Sequence, residues 1–278
     1  MKQNKKIAFT LAKGATHITT CGNNKKFAFT LAEVLITLGI IGVVAAMTMP
    51  SLIANYQEKQ RVSQLKKVYS ALSQAFISAI QENGTPDEWG MGDMYDENSH
   101  LIMANNFKKH LKLSKDCTNM NGTQARKVCG MQDNAGKNNN LETVGASSQA
   151  KAIILNDGTI VAFRHYEANC AMVFGDLKNV CGILHVDLNG QKRPNSGGYD
   201  QFDIYVTKDK LVPLGFKGDY LTFEKACNRK IDVPFSGYSG GGMYSCAAWV
   251  LYNENQDYLH CDDLSWTGKH SCKEKSNK

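Results

Sequence analysis

From Phe29 to Met49 the chain runs 21 residues with a single charge, Glu33. About 20 apolar residues in a helix cross the hydrocarbon core of a bilayer. Such a run crosses a membrane, is buried by other polypeptides, or is removed during export. Lys25 and Lys26 precede it, and Lys2, Lys5, Lys6 and Lys13 lie further upstream, with no acid among residues 1–28. Positive charge is retained on the cytoplasmic side, so a single pass with the N-terminus inside and the body exported is expected. Lys59, Arg61, Lys66 and Lys67 lie just past the run and weaken that asymmetry. A cleaved secretory signal is the competing reading, with Val44-Ala45-Ala46 as a weak cleavage site. Its apolar region is usually about 7–15 residues, shorter than this one.

Charge and cysteine content point the same way. The formal net charge is +6, from 32 basic and 26 acidic residues. Without the six lysines of residues 1–28, the remainder is balanced at 26 of each. A neutral body argues against a phosphate-binding face, so no nucleic-acid partner is expected. Eight of the nine cysteines, Cys117, Cys129, Cys170, Cys181, Cys227, Cys246, Cys261 and Cys272, lie beyond residue 110. An even set without any C-x-x-C spacing reads as disulfides in an oxidising compartment. Eight cysteines allow 105 connectivities. Consecutive pairing, which closes short loops, is the expected one.

Glu33 needs an explanation, because an acid in an apolar span costs a few kcal/mol and by default has a partner and a function. Thr30-Leu31-Ala32-Glu33 is also a capping box, which places a glutamate at a helix start for local reasons. The stretch Lys25-Lys26-Phe27-Ala28-Phe29-Thr30-Leu31-Ala32-Glu33-Val34-Leu35 resembles the prepilin processing motif of type IV pilins and of the pseudopilins of type II secretion and competence systems. The resemblance covers roughly residues 25–82. It implies cleavage by a prepilin peptidase between Ala28 and Phe29 and N-methylation of the new terminus at Phe29. It also implies an assembly and registry role for Glu33, fifth in the mature chain, and a helix kink at Pro50. The family usually has glycine before the cut, where this chain has Ala28. An echo, Lys5-Lys6-Ile7-Ala8-Phe9-Thr10-Leu11-Ala12, continues with Lys13 instead of an acid and precedes no apolar run, so no processing is expected there.

The logic of the acid is electrostatic. Cleavage would create an α-amine with a pKa near 8, mostly cationic at neutral pH. When apolar helices leave the bilayer and bury one another, an unpaired Glu33 is strongly unfavourable. Paired with a neighbouring copy's Phe29 amine it is tolerated, and the pair sets axial register more than bulk stability.

Beyond Pro50 the helical pattern persists. Val62, Leu65, Tyr69, Leu72, Phe76 and Ala79 recur at spacings of three and four, with Val68 and Ile80 widening the stripe, until Asn83-Gly84-Thr85-Pro86 stops it. The expected helix runs from Phe29 to Glu82, 54 residues or about 80 Å. Its first half is expected to pack against other subunits and its second half against the body, with a two-helix coiled coil as the alternative for the second half.

The expected organisation is a leader over 1–28, a transmembrane and assembly helix over 29–50, its amphipathic continuation over 51–82, a variable loop region over 83–150 and a β-rich exported region over 151–278. A short helix is expected over Leu101–Leu111. Strands are expected at Ala152–Leu155, Thr159–Arg164, Ile183–Leu188, Gln201–Val206 and Leu211–Leu214, the first two joined by the hairpin signal Asn156-Asp157-Gly158. The fold class is α+β, a long helix packed on an antiparallel sheet with a disulfide-stapled C-terminal region.

No cofactor is expected, with one reservation. Asp187, Asn189, the Gln191 carbonyl and Asp200 offer hard oxygen ligands suited to calcium, but the spacing is not an EF-hand and a plain turn loop is the favoured reading. Ser239-Gly240-Gly241-Gly242 lacks the lysine of a phosphate loop. His260 and His270 stand beside Cys261 and Cys272 and would suit a metal, but disulfides are the favoured use of those cysteines. Ser265 and His165 are single candidates without a partner set, so no enzyme is expected. The resemblance implies a structural subunit of a type II secretion or type IV pilus-like filament, stored in the bacterial inner membrane and displayed after assembly. Its expected partners are other pilin or pseudopilin subunits, the prepilin peptidase and the membrane assembly machinery. The rival reading is an anchored extracytoplasmic enzyme or binding protein that uses residues 29–49 only as a tether.

Overall fold

A computed structural model of the chain describes residues 30–93, 96–120, 122–130, 151–192, 195–227 and 245–274. The leader with Ala28 and Phe29, the loops at Asn138–Asn140 and Gly145–Ser148, and Ser239–Gly242 lie outside the described residues. The chain divides into two compact units, Met1–Ser51 and Leu52–Lys278.

Helix α1 is Leu31–Asn83, within two residues of the expected span, and it continues through Pro50. A proline lacks the N–H that would reach the carbonyl four residues back. The helix is otherwise unbroken there, and the Thr48 and Ser51 hydroxyls donate to the carbonyls of Val44 and Thr48 at 2.9 Å each.

In the larger unit the buried stripe of α1 is Val62, Leu65, Val68, Leu72, Ala75, Phe76 and Ala79. It packs on a seven-stranded antiparallel sheet: β1 (Leu113–Asp116), β2 (Lys151–Leu155), β3 (Ile160–His165), β4 (Met172–Phe174), β5 (Leu177–Asp187), β6 (Gln201–Thr207) and β7 (Leu211–Pro213), in the order β1-β2-β3-β5-β6-β7 with β4 beside β5. No expected strand is lost. β1 and β4 were not foreseen, and β5 starts six residues earlier than expected. Pairing of Val161, Phe163, Leu184, Val186, Phe202 and Ile204 makes the face that meets the helix.

Helix α2 (Glu97–Lys108) begins four residues before the expected short helix, because Asp96 caps it by accepting the Asn98 amide at 3.0 Å. Its Phe107 ring stacks on Phe76 at 5.5 Å and meets Phe163 at 5.3 Å, so α1, α2 and β3 share one aromatic junction. Helix α3 (Gly122–Cys129) and strand β1 fall in the region read as a loop. The C-terminal region adds α4 (Phe223–Ala226) and α5 (Ala247–Asn253). There Trp249 is fully buried and stacks on Phe223 at 3.9 Å.

Four disulfides join Cys117 to Cys129, Cys170 to Cys181, Cys227 to Cys246 and Cys261 to Cys272, so each cysteine pairs with the next one along the chain.

Candidate functional site

Thr30 and Glu33 close the capping box at the head of α1. The Thr30 amide and hydroxyl both donate to Glu33 Oε2 at 2.8 Å, and the Glu33 amide donates back to Thr30 Oγ1 at 3.2 Å. Three polar groups near a helix start are thus satisfied within four residues. Glu33 Oε1 makes no hydrogen bond among the described residues.

Below this cap the helix offers only apolar surface. Leu31 is 78% exposed, and Leu35, Ile36, Leu38, Ile40, Ile41 and Met47 are exposed with it. The hydroxyls within the span turn inward on their own backbone, Thr37 donating to the Val34 carbonyl at 3.0 Å. Apolar side chains outside and self-satisfied polar groups inside are what a lipid or protein interior requires of a helix. The helix is long and apolar enough to cross a membrane.

The loop after β5 is built differently from an open ligand cage. Asp200 accepts the Ser196 amide at 2.7 Å through Oδ1 and the Asn189 side-chain amide at 2.8 Å through Oδ2. Asp187 Oδ2 accepts from the Gln201 side chain at 2.9 Å, while its buried Oδ1 has no hydrogen-bond partner. Gln191 turns its side chain away, donating to the Lys127 and Gly130 carbonyls at 3.2 and 3.1 Å. Three of the four carboxylate oxygens therefore serve the loop itself. Burial pushes the Asp187 carboxyl well above its usual range, with nearby Asp200 adding to the rise. Burial also carries Asp200 up to about 6, against the lowering effect of its two donors and of Arg61. No group of three or more His, Cys, Asp or Glu side chains suited to a metal occurs among the described residues.

This loop is also gripped by α1. Gln64 donates to the Leu188 carbonyl at 2.6 Å, and the Arg61 guanidinium lies 3.7 Å over the Tyr199 ring. Arg61 Nε donates at 2.9 Å to Gln256, whose amide reaches the Gly198 and Tyr199 carbonyls at 3.0 and 2.8 Å.

The histidines go to separate places. His260 meets Glu58 of α1 at 2.9 Å, beside the Cys261–Cys272 bridge. The His270 ring lies 5.7 Å from that of Trp249. His165 approaches the Gly92 carbonyl at 3.0 Å through Nε2, and its backbone amide donates to His100 Nδ1 at 2.9 Å. Burial lowers both imidazoles, His100 to about 4. Ser265 has its amide on the Lys269 carbonyl.

Sequence reasoning missed His185 and Asp203, a buried pair at 2.7 Å on the sheet face away from α1. Their cross-strand pairing was within reach, since β5 and β6 were both expected and the two residues are partners in register.

Two family models match the chain. One, described as a prokaryotic N-terminal methylation motif, covers residues 23–49. The other, a family of unknown function (DUF6613), covers residues 51–210. No curated protein and no solved structure matches. The methylation motif supports a type IV pilin-like prepilin N-terminus, in keeping with membrane anchoring.

Proposed function

We propose that this chain, which belongs to the family of unknown function DUF6613, is a structural subunit, a pseudopilin or minor pilin, of a type II secretion or type IV pilus-like filament. The carrying observation is that the methylation motif spans the start of a helix whose large apolar side chains from Leu31 to Met49 are exposed. Such a surface needs a bilayer or other copies around it. The subunit would wait in the inner membrane with its body outside. A prepilin peptidase would cut between Ala28 and Phe29, and the Phe29 amine would then be methylated. Assembly would exchange lipid contacts for contacts between copies of α1. Glu33 Oε1 is the oxygen available for the neighbouring amine, because Oε2 already serves Thr30. The role is structural rather than enzymatic.

Mass spectrometry of the mature N-terminus tests this. A chain beginning at N-methyl-Phe29 is the expected result. An intact Met1 would mean that α1 only tethers an exported enzyme or binding protein, and a start at Met47 would mean ordinary secretion.

A further inference from the structure

Charge is segregated where α1 ends. From Val68 to Phe107 the sequence has six acids, Glu82, Asp87, Glu88, Asp93, Asp96 and Glu97, and neither Lys nor Arg. The next eight residues, 108–115, have four lysines and no acid. Compensation within the molecule is partial. Lys108 pairs with Asp116 at 2.8 Å, Lys208 holds Asp87 at 2.8 Å, and His110 lies 3.4 Å from Glu82. The exposed Lys109, Lys112 and Lys115 make no ion pair among the described residues. Asp96 is committed to capping α2, and Glu88 Oε2 to the Thr85 amide at 2.8 Å. Asp93 is exposed and its side chain has no hydrogen bond or ion pair among the described residues.

The lysine-rich segment walls a cleft of about 460 Å³. Its floor is the edge of α1 beside the buried stripe, where the small side chains of Ala71, Ala75 and Ser78 leave room. The opposite wall is the β2–β3 turn, tied across by the Asn156 amide on the Lys112 carbonyl at 3.1 Å. Lys67 stands on the rim, 74% exposed, and its ion pair with Asp157 of the opposite wall, 3.8 Å long, is weak in water and leaves it able to exchange partners.

We propose that this cleft receives the acidic strip of a second copy of this chain, with Asp93 and Glu88 facing Lys67 and Lys112. The inference rests on the filament reading and supplies it with a contact between bodies. The basic cleft and the acidic strip are different patches of one subunit, so their pairing is heterologous, and with an axial displacement per copy it gives an open filament rather than a closed dimer. Gln74 on the cleft floor lies nine residues before the end of α1, about 14 Å along its axis. The strip begins just past that end, so a copy displaced along the axis brings the two together. Exposed pairs of this kind set direction and register more than affinity, and salt weakens them.

The test treats membranes carrying the full chain with a zero-length carbodiimide, which joins lysine to carboxylate only at contact distance. The covalent dimer is then digested and its joined peptides identified. Lys67 or Lys112 joined to Glu88 or Asp93 is expected, with dimer yield falling at least fivefold in Asp93→Asn and in Lys67→Gln/Lys112→Gln, both surface changes. A dimer joined elsewhere, or unchanged yield in both variants, overturns the proposal. Filaments that form with the dimer joined elsewhere would overturn the cleft contact and leave the filament reading standing. The expected dimer in a chain that never forms filaments would do the reverse.

Discussion

Glu33 has two carboxylate oxygens, and Oε2 is committed within its own helix to Thr30. That local satisfaction lets the acid sit at the head of an apolar helix, and under the proposed filament role the second oxygen would pair with a neighbouring copy. Glu33→Val should therefore leave insertion and cleavage intact while lowering the assembled fraction at least tenfold, measured by sedimentation of sheared filaments. Normal assembly of that variant would remove the registry role. The capping box was legible because it is local in sequence. Buried titrating groups were not, because burial is a property of packing. His100, held at about 4 below its ordinary 6.5, stabilises the fold above pH 6.5, and that stability is lost as pH falls toward 4. Asp200 and Asp219, both raised to about 6 by burial, work in the opposite direction. Their contribution is complete below the ordinary 3.8 and is lost as pH rises through 6. Asp200→Asn should shrink the fall in melting temperature between pH 4.5 and 8, and His100→Gln should shrink the fall between pH 6.5 and 4. Parallel melting curves for variant and parent across either window would contradict the corresponding assignment.

Elements were readable where their cause lies in the residues themselves. The β2–β3 hairpin follows from Asn156-Asp157-Gly158, with Gly158 at φ +90°, a conformation that glycine adopts without a Cβ clash. The amphipathic part of α1 follows from spacings of three and four that end on the buried stripe from Val62 to Ala79. α2 was expected too late in the chain, because the apolar residues that suggested it start at Leu101 while the cap that begins it is Asp96. β4 and the first part of β5 escaped notice because both edges carry a register irregularity and lie beside the Cys170–Cys181 bridge, where alternation breaks down. The Asp187–Asp200 loop is the element whose function stays a proposal. Its own donors satisfy three carboxylate oxygens, and the buried Asp187 Oδ1 is an oxygen that a calcium ion would relieve. If calcium binds there, 5 mM should raise the melting temperature of the 51–278 body by a few degrees, and Asp187→Ala should abolish the rise. A body that melts at the same temperature with calcium and with chelator leaves the loop a turn.

For the whole molecule, the apolar run, the lysines before it, the lone acid and the even cysteine set pointed to a membrane-anchored chain with a disulfide-bonded body. Those features act through composition and short-range order: a bilayer reads length and hydropathy, and a capping box closes within one turn. The nearest-neighbour pairing of the cysteines belongs to the same class, since each bridge spans 11 to 19 residues. Contacts between distant segments were decided by the fold alone. Arg61 on Tyr199 and Gln256, His260 on Glu58, His185 on Asp203 and the lysine-walled cleft over Ala71 all join residues that no local pattern relates. Their meeting depends on which strand lies beside which and where α1 crosses the sheet, and that is settled by burying all the apolar surface of the body at once.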